Sequence, residues 1–186
     1  MNTPFDIFKI FCTCIVITII YTILHDQVAF SISSDFFYRY SFYQYGIANE
    51  GLSWVPELPR YEVFKLSLYS SWWIGIILAL VTCFVGFSDR SKSMKMRDFR
   101  SAFFIGITMA IITSGIGAFL GSIVDSPTLT TSVLFENKGS VLEHKNFEIA
   151  RYMDISSYIG RAIGTLLACT NIYRIRKRKP SLTNRF

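Results

Sequence analysis

Long apolar runs alternate with shorter polar stretches along this chain. Four runs approach the roughly 20 residues that a helix needs to cross the hydrocarbon core of a bilayer: 7–24, 66–87, 101–124 and 155–173. The second and third contain no charged residue. The pattern predicts an all-α integral membrane protein, a bundle of four transmembrane helices. Loops 25–65 and 125–154 then share one side, while loop 88–100 and tail 174–186 share the other. Val28 to Ile32 alternates as a strand does, so the two longer loops are expected to form a small outer cap with room for short strands.

A finer periodicity appears inside the last two runs. Gly106, Ala110, Ser114 and Ala118 recur every fourth residue, continued by Ser122, with Gly117 and Gly121 on an adjacent row. Ser156, Gly160, Gly164 and Ala168 repeat the spacing in the fourth run. Small residues let helix backbones approach closely where lipid supplies no hydrophobic drive, so these two helices are expected to pack on each other. The alternative is a homo-oligomer contact through one stripe. Between 36 and 45, seven aromatic residues crowd together. The expectation there is an interfacial anchor, with a wall for a lipid or small-molecule pocket as the other reading.

Composition agrees with bilayer as the solvent: 51% of residues are hydrophobic and 17% charged. The net charge of +6 would suit nucleic acid if it were spread over a face, but it is segregated. Arg90, Lys92, Lys95, Arg97 and Arg100 fall in the short loop, and Arg174, Arg176, Lys177, Arg178, Lys179 and Arg185 in the tail. The two long loops each hold three Lys or Arg against five Asp or Glu. The positive-inside rule places both basic segments and both termini in the cytoplasm, with membrane lipid as the partner of the basic tail and nucleic acid excluded. The first run has the outline of a signal peptide, but it lacks a small-x-small cleavage pattern before His25, so a retained span is expected. Cys12, Cys14, Cys83 and Cys169 all fall within the spans, which leaves none to staple the outer loops.

Candidate chemistry gathers at the outer ends of the spans. His25, Asp26, Gln27 and Asp35 follow the first, Asp125 ends the third, and Asp154, Tyr158 and Arg161 open the fourth. Imidazole with carboxylates suits a divalent transition metal, for which His25, Asp35 and Asp154 are the candidates. The same groups also suit acid–base chemistry near neutral pH. Against both stands the plainer possibility of solvated charges at helix ends. No His-x-x-x-His spacing is present, and adjacent His25 and Asp26 point in different directions on a helix. Arg161 lies about 9 Å along the helix from Ile155, deep enough to need a partner. Asp154, seven residues earlier on that face, is the expected one, with an anionic ligand as the alternative. No Ser-His-Asp arrangement can be placed, no phosphate-binding glycine loop is present, and no acidic residue sits in the middle of a span. The last absence disfavours proton-coupled transport. No cofactor is implied.

Three short stretches resemble a family of small bacterial four-span membrane proteins with no assigned activity. They are His25-Asp26-Gln27-Val28 with Ser34-Asp35-Phe36-Phe37, Trp72-Trp73-Ile74-Gly75, and Ser157-Tyr158-Ile159-Gly160 with Gly164. The family patterns are similar to His-Asp-Gln-Val, Glu-Tyr-Phe, Trp-Trp-Val-Gly and Ser-Tyr-x-Gly. This chain departs at Asp35 and Phe36, and at Asp154 and Arg161, where His and Gly are expected. The resemblance implies the bacterial inner membrane, a retained first span, and outer-side roles for His25, Asp26, Gln27, Asp35, Ser157 and Tyr158. The leading expectation for function is a non-enzymatic membrane protein that binds or organises a protein or lipid partner through its aromatic cap. An outer-face metal-binding protein or enzyme using His25 and carboxylates is the alternative, and a small homo-oligomeric pore comes third.

Overall fold

The computed structural model of the chain describes residues 4–47, 56–89, 91–124 and 141–180, and every element in them is helical. Helix α1 (Pro4–Ile32) is followed by a short hook. The hook comprises α2 (Ser34–Phe36), a π-helical turn (Phe37–Ser41) and α3 (Phe42–Gln44). Three long helices follow: α4 (Pro59–Phe87), α5 (Met96–Ile123) and α6 (Val141–Arg178).

By length and composition α1, α4 and α5 are each able to cross a membrane. The surface agrees with a lipid solvent, because the large apolar side chains point outward. Phe84, Phe104 and Leu166 are among the most exposed residues, whereas the buried face of α4 includes Ser67, Ser70, Ser71, Gly75 and Ala79. A protein folded in water would hold the reverse distribution. Helix α6 lacks the apolar character of the other three: it begins well before residue 155 with a charged stretch, and it carries Arg161 and Asn171 farther along.

The helices associate chiefly as two pairs, α1 with α4 and α5 with α6. In the second pair the backbones nearly touch. A methyl group built on Gly121 would lie 2.6 Å from Ile149 Cα, and one on Gly164 would lie 2.9 Å from the Gly106 carbonyl. Gly160 likewise sits over Ala110 Cα, at 2.9 Å from such a methyl group, and against Thr113. The contact row on α5 runs through Gly106, Ala110, Thr113, Gly117 and Gly121, so it leaves the strict every-fourth stripe after Ala110. The reason is geometric. A step of four residues overshoots a 3.6-residue turn by about 40°, and a straight seam must alternate steps of three and four. Ser114 is turned toward α1, and Ala118 packs against the aromatic cluster of the hook.

Two expectations for the cap are corrected. No strand occurs among the described residues, and Val28 to Ile32 completes α1. Ser33, just past its end, is extended, with φ −146° and ψ 103°; its hydroxyl accepts from the Phe36 N–H at 3.2 Å and starts the hook. Helix wins because each backbone group of 28–32 finds its partner within the segment, with no second strand at hand. Nor are the rings of 36–45 uniformly interfacial. Phe36, Phe37 and Phe42 are buried and form a core with Val63, Leu66 and Phe147, Phe36 and Phe147 meeting edge to face at 5.5 Å. Tyr43 and Tyr45 remain exposed.

At the opposite end the basic segments meet. Lys92 Nζ donates to the Lys177 carbonyl at 3.2 Å, Arg176 bonds to the Val85 carbonyl at 2.6 Å, and Lys179 bridges Asp98. Arg90, Arg185, Asp125 and the rest of loop 126–140 lie outside the described residues.

Candidate functional site

One face of α1 turns polar as it rises. Thr18 and Thr22 are buried, each hydroxyl donating at 2.9 Å to the carbonyl four residues earlier, which keeps them satisfied without breaking the helix. One turn on, His25 and Asp26 are also buried. Contrary to the helical-wheel expectation, both point inward, since α1 is covered by α4 on one flank and reached by α5 and α6 on the other. His25 Nδ1 and Asp26 Oδ1 stand 3.0 Å apart, and His25 Nε2 lies 3.0 Å from Ser114 Oγ. The second Asp26 oxygen accepts from the Ser67 hydroxyl at 2.8 Å.

Asp154, one residue before the expected fourth span, completes the group. Ligand atoms of His25, Asp26 and Asp154 all lie within 4.8 Å of one another. Burial, then the neighbouring Asp26 carboxylate, push the Asp154 carboxyl up to about 6, against the opposing pull of His25 and Arg161. Asp26 and Asp154, but not His25, line a cavity of about 400 Å³. Phe36, Tyr40, Trp73 and Tyr158 wall it, and Arg151, paired with Glu148 at 2.9 Å, also lines it. The π-helical turn places Phe37, Tyr40 and Ser41 on this wall.

Not every expected residue converges. Asp35 pairs with Arg39 at 3.4 Å and remains partly exposed. Gln27 faces another way: its side-chain carbonyl accepts from Arg60 Nη1 at 3.0 Å, and its amide donates to the Arg60 carbonyl at 2.9 Å. Arg161 is buried, but its hydrogen bonds go to Thr22 Oγ1 at 3.3 Å, Ser157 Oγ at 3.1 Å and the Ser157 carbonyl at 3.4 Å, with the Tyr158 ring 4.2 Å away. The expected Asp154–Arg161 ion pair is absent among the described residues, because the guanidinium turns toward α1.

Sequence reasoning missed Ser67, Ser114 and Thr22 as partners. Ser114 was visible as a member of the small-residue stripe; a lone Ser or Thr in an apolar run otherwise carries no signal of its neighbour. The relay Ser114–His25–Asp26 also overturns the expectation that no such arrangement could be placed. Ser114 lies mid-helix in α5, where backbone N–H groups are engaged within the helix, so the backbone offers no oxyanion donors beside it. What the relay does is orient the imidazole. If Nε2–H donates to Ser114, the Nδ1 lone pair faces a carboxylate oxygen at 3.0 Å, a juxtaposition that needs a cation between them. If Nδ1–H donates to Asp26, Nε2 accepts the Ser114 hydroxyl and the network closes on itself.

Comparison with protein-family models, with curated proteins and with solved structures finds no match to the chain.

Proposed function

We propose that this is a four-span membrane protein, with both termini cytoplasmic, that binds a divalent transition-metal cation at its outer face through His25 Nδ1, Asp26 and Asp154. The observation that carries this reading is the gathering of one imidazole and two carboxylates, from two helices distant in sequence, within 4.8 Å of one another, with both carboxylates lining a cavity. Two neighbouring carboxylates, one buried and one half-buried, repel, and the buried cation Arg161 spends its hydrogen bonds on hydroxyls and a carbonyl. A divalent ion would neutralise the pair. Bonds of about 2.1 Å in tetrahedral geometry put ligand atoms roughly 3.4 Å apart, so on binding the widest separation, up to 4.8 Å, would close while His25 Nδ1 and Asp26 Oδ1, 3.0 Å apart, would open slightly. Ser114 and Ser67 would serve as outer partners that fix the imidazole and one carboxylate. Three protein ligands leave a fourth position open toward the cavity, and the aromatic hook supplies its wall. An imidazole–dicarboxylate set suits zinc, manganese, cobalt or ferrous iron better than copper(I).

The test is cobalt(II) titration of the purified full chain in nanodiscs, followed by its visible absorption and by calorimetry. Saturable one-to-one binding that is lost in His25→Ala and weakened at least tenfold in Asp154→Asn is expected. Equal affinity in the wild type and both variants would sink the proposal.

A further inference from the structure

A second site lies on the lipid side of α1. Helices α1 and α5 are neighbours that touch only sparsely, and the gap between them is a groove of about 600 Å³. Its walls are almost wholly apolar, formed by Ile20, Leu24 and Val28 on α1 and Ile107 and Ile111 on α5. It follows α1 from Ile17 to Ile32; from Tyr21 to Ile32 the rise is about 17 Å, room for most of a long acyl chain. Ile17, Tyr21 and Ile107 also line a smaller cavity of about 70 Å³ that reaches Arg161 in the bundle interior.

Two polar groups at this junction are incompletely used. Arg161 has five N–H donors; three make the hydrogen bonds to Thr22 and Ser157, and no carboxylate pairs with it among the described residues. The Tyr21 hydroxyl is buried and makes no hydrogen bond; it lies near Ser157 without bonding geometry. A buried hydroxyl without a partner costs free energy and is uncommon in native proteins. Its ring lies 5.8 Å from the Arg161 guanidinium, so one small anionic group could take donors from both residues.

We infer that the α1–α5 gap binds a long-chain fatty acid, with its chain in the apolar groove and its carboxylate held by Arg161 and the Tyr21 hydroxyl. The chemistry favours this occupant on both counts. A chain alone would leave the two donors unanswered, and a small anion alone would leave the groove unused. Entry is lateral, from the bilayer, because the groove opens between two helices able to span it. His25 and Ser114 also line the groove, but neither Arg161 nor Tyr21 belongs to the cation site, so oleate binding lost in Tyr21→Phe with cobalt(II) affinity intact separates the two proposals.

The experiment uses the full chain in phosphatidylcholine nanodiscs with oleate carrying ¹³C at the carboxyl. A bound carboxyl resonance distinct from that of bilayer oleate is expected. Tyr21→Phe removes only a hydroxyl that has no protein partner; it should weaken binding about tenfold or more while leaving the thermal midpoint without oleate unchanged or higher. Arg161→Gln should abolish the resonance. Gly115 lines the groove, and a methyl group built there meets nothing within 4 Å, so Gly115→Leu should fill the groove and exclude oleate without loosening the bundle. Absence of a distinct resonance would overturn the inference, as would unchanged oleate affinity in Tyr21→Phe or survival of the resonance in Gly115→Leu. Acetate competing as well as oleate would reduce the site to a small-anion pocket. Oleyl alcohol displacing oleate with equal affinity would reduce it to an apolar groove. Either result also overturns it.

Discussion

At the residue scale, function turns on which side chains have a partner across the bundle. Asp35 and Asp154 make the contrast. Both are carboxylates toward the hook end of the bundle, yet Asp35 is held by Arg39 one turn away and Asp154 faces Asp26. Asp35→Asn is therefore expected to leave cobalt(II) affinity within about twofold of the wild type, whereas Asp154→Asn weakens it; titration of the two variants side by side checks this. Glycines make a second contrast. A methyl group at Gly160 would collide with Thr113 and press on the Ala110 backbone, while at Gly115 it enters open space. Gly160→Ala should lower stability by about 1–3 kcal/mol and Gly115→Ala should leave it nearly unchanged, as read from unfolding of the full chain in mixed micelles. His25, Asp26, Asp154, Tyr158 and Arg161 stand out in the sequence as candidates because ionisable groups cluster where apolar runs begin and end. Their partners were not. Ser114 is 89 positions from His25, and a lone serine in an apolar run looks the same whether it touches lipid or an imidazole.

At the scale of the elements, local chemistry explains where helices stop. The Asp98 carboxylate accepts from the Lys95 N–H at 2.7 Å at the start of α5 and also meets Lys179 beyond the end of α6. Asp98→Ala removes a cap and a tie between two helix ends, and a loss of about 1 kcal/mol is expected from the cap, measurable as a lowered unfolding midpoint. The hook after α1 follows from one extended residue, Ser33, whose side chain caps the next turn. Alternation of Val28 to Ile32 suggested a strand because period-two patterns are easily matched over five residues. The continuing helix instead sends Val28 outward and buries Ala29. Likewise, small-residue periodicity identified α5 and α6 as closely packing surfaces but misjudged the row after Ala110, since every-fourth spacing drifts around a helix and a contact seam does not.

At the scale of the whole molecule, the two ends differ in charge and in build. One end gathers Lys92, Arg176, Lys177 and Lys179; the other gathers His25, Asp26, Asp154 and the aromatic hook. Single cysteines introduced at Ser93 and at Gln44 in a background lacking the native thiols should react with impermeant maleimide from opposite sides of right-side-out vesicles, Gln44→Cys labelling in intact vesicles and Ser93→Cys only after lysis. Labelling of both in intact vesicles would refute the proposed topology. The amino-acid sequence by itself determined that the chain is helical and suited to lipid, because apolar runs of span length are a property of composition and order alone. It also marked where the polar residues interrupt those runs. Only the tertiary structure decided that Asp26 rather than Asp35 joins His25 and Asp154, that Arg161 turns to Thr22 and Ser157, and that a groove opens between α1 and α5. The physical reason is that convergence depends on the rotation of each helix about its axis, and that rotation is set by close backbone contacts such as Gly160 on Ala110, which no local pattern records.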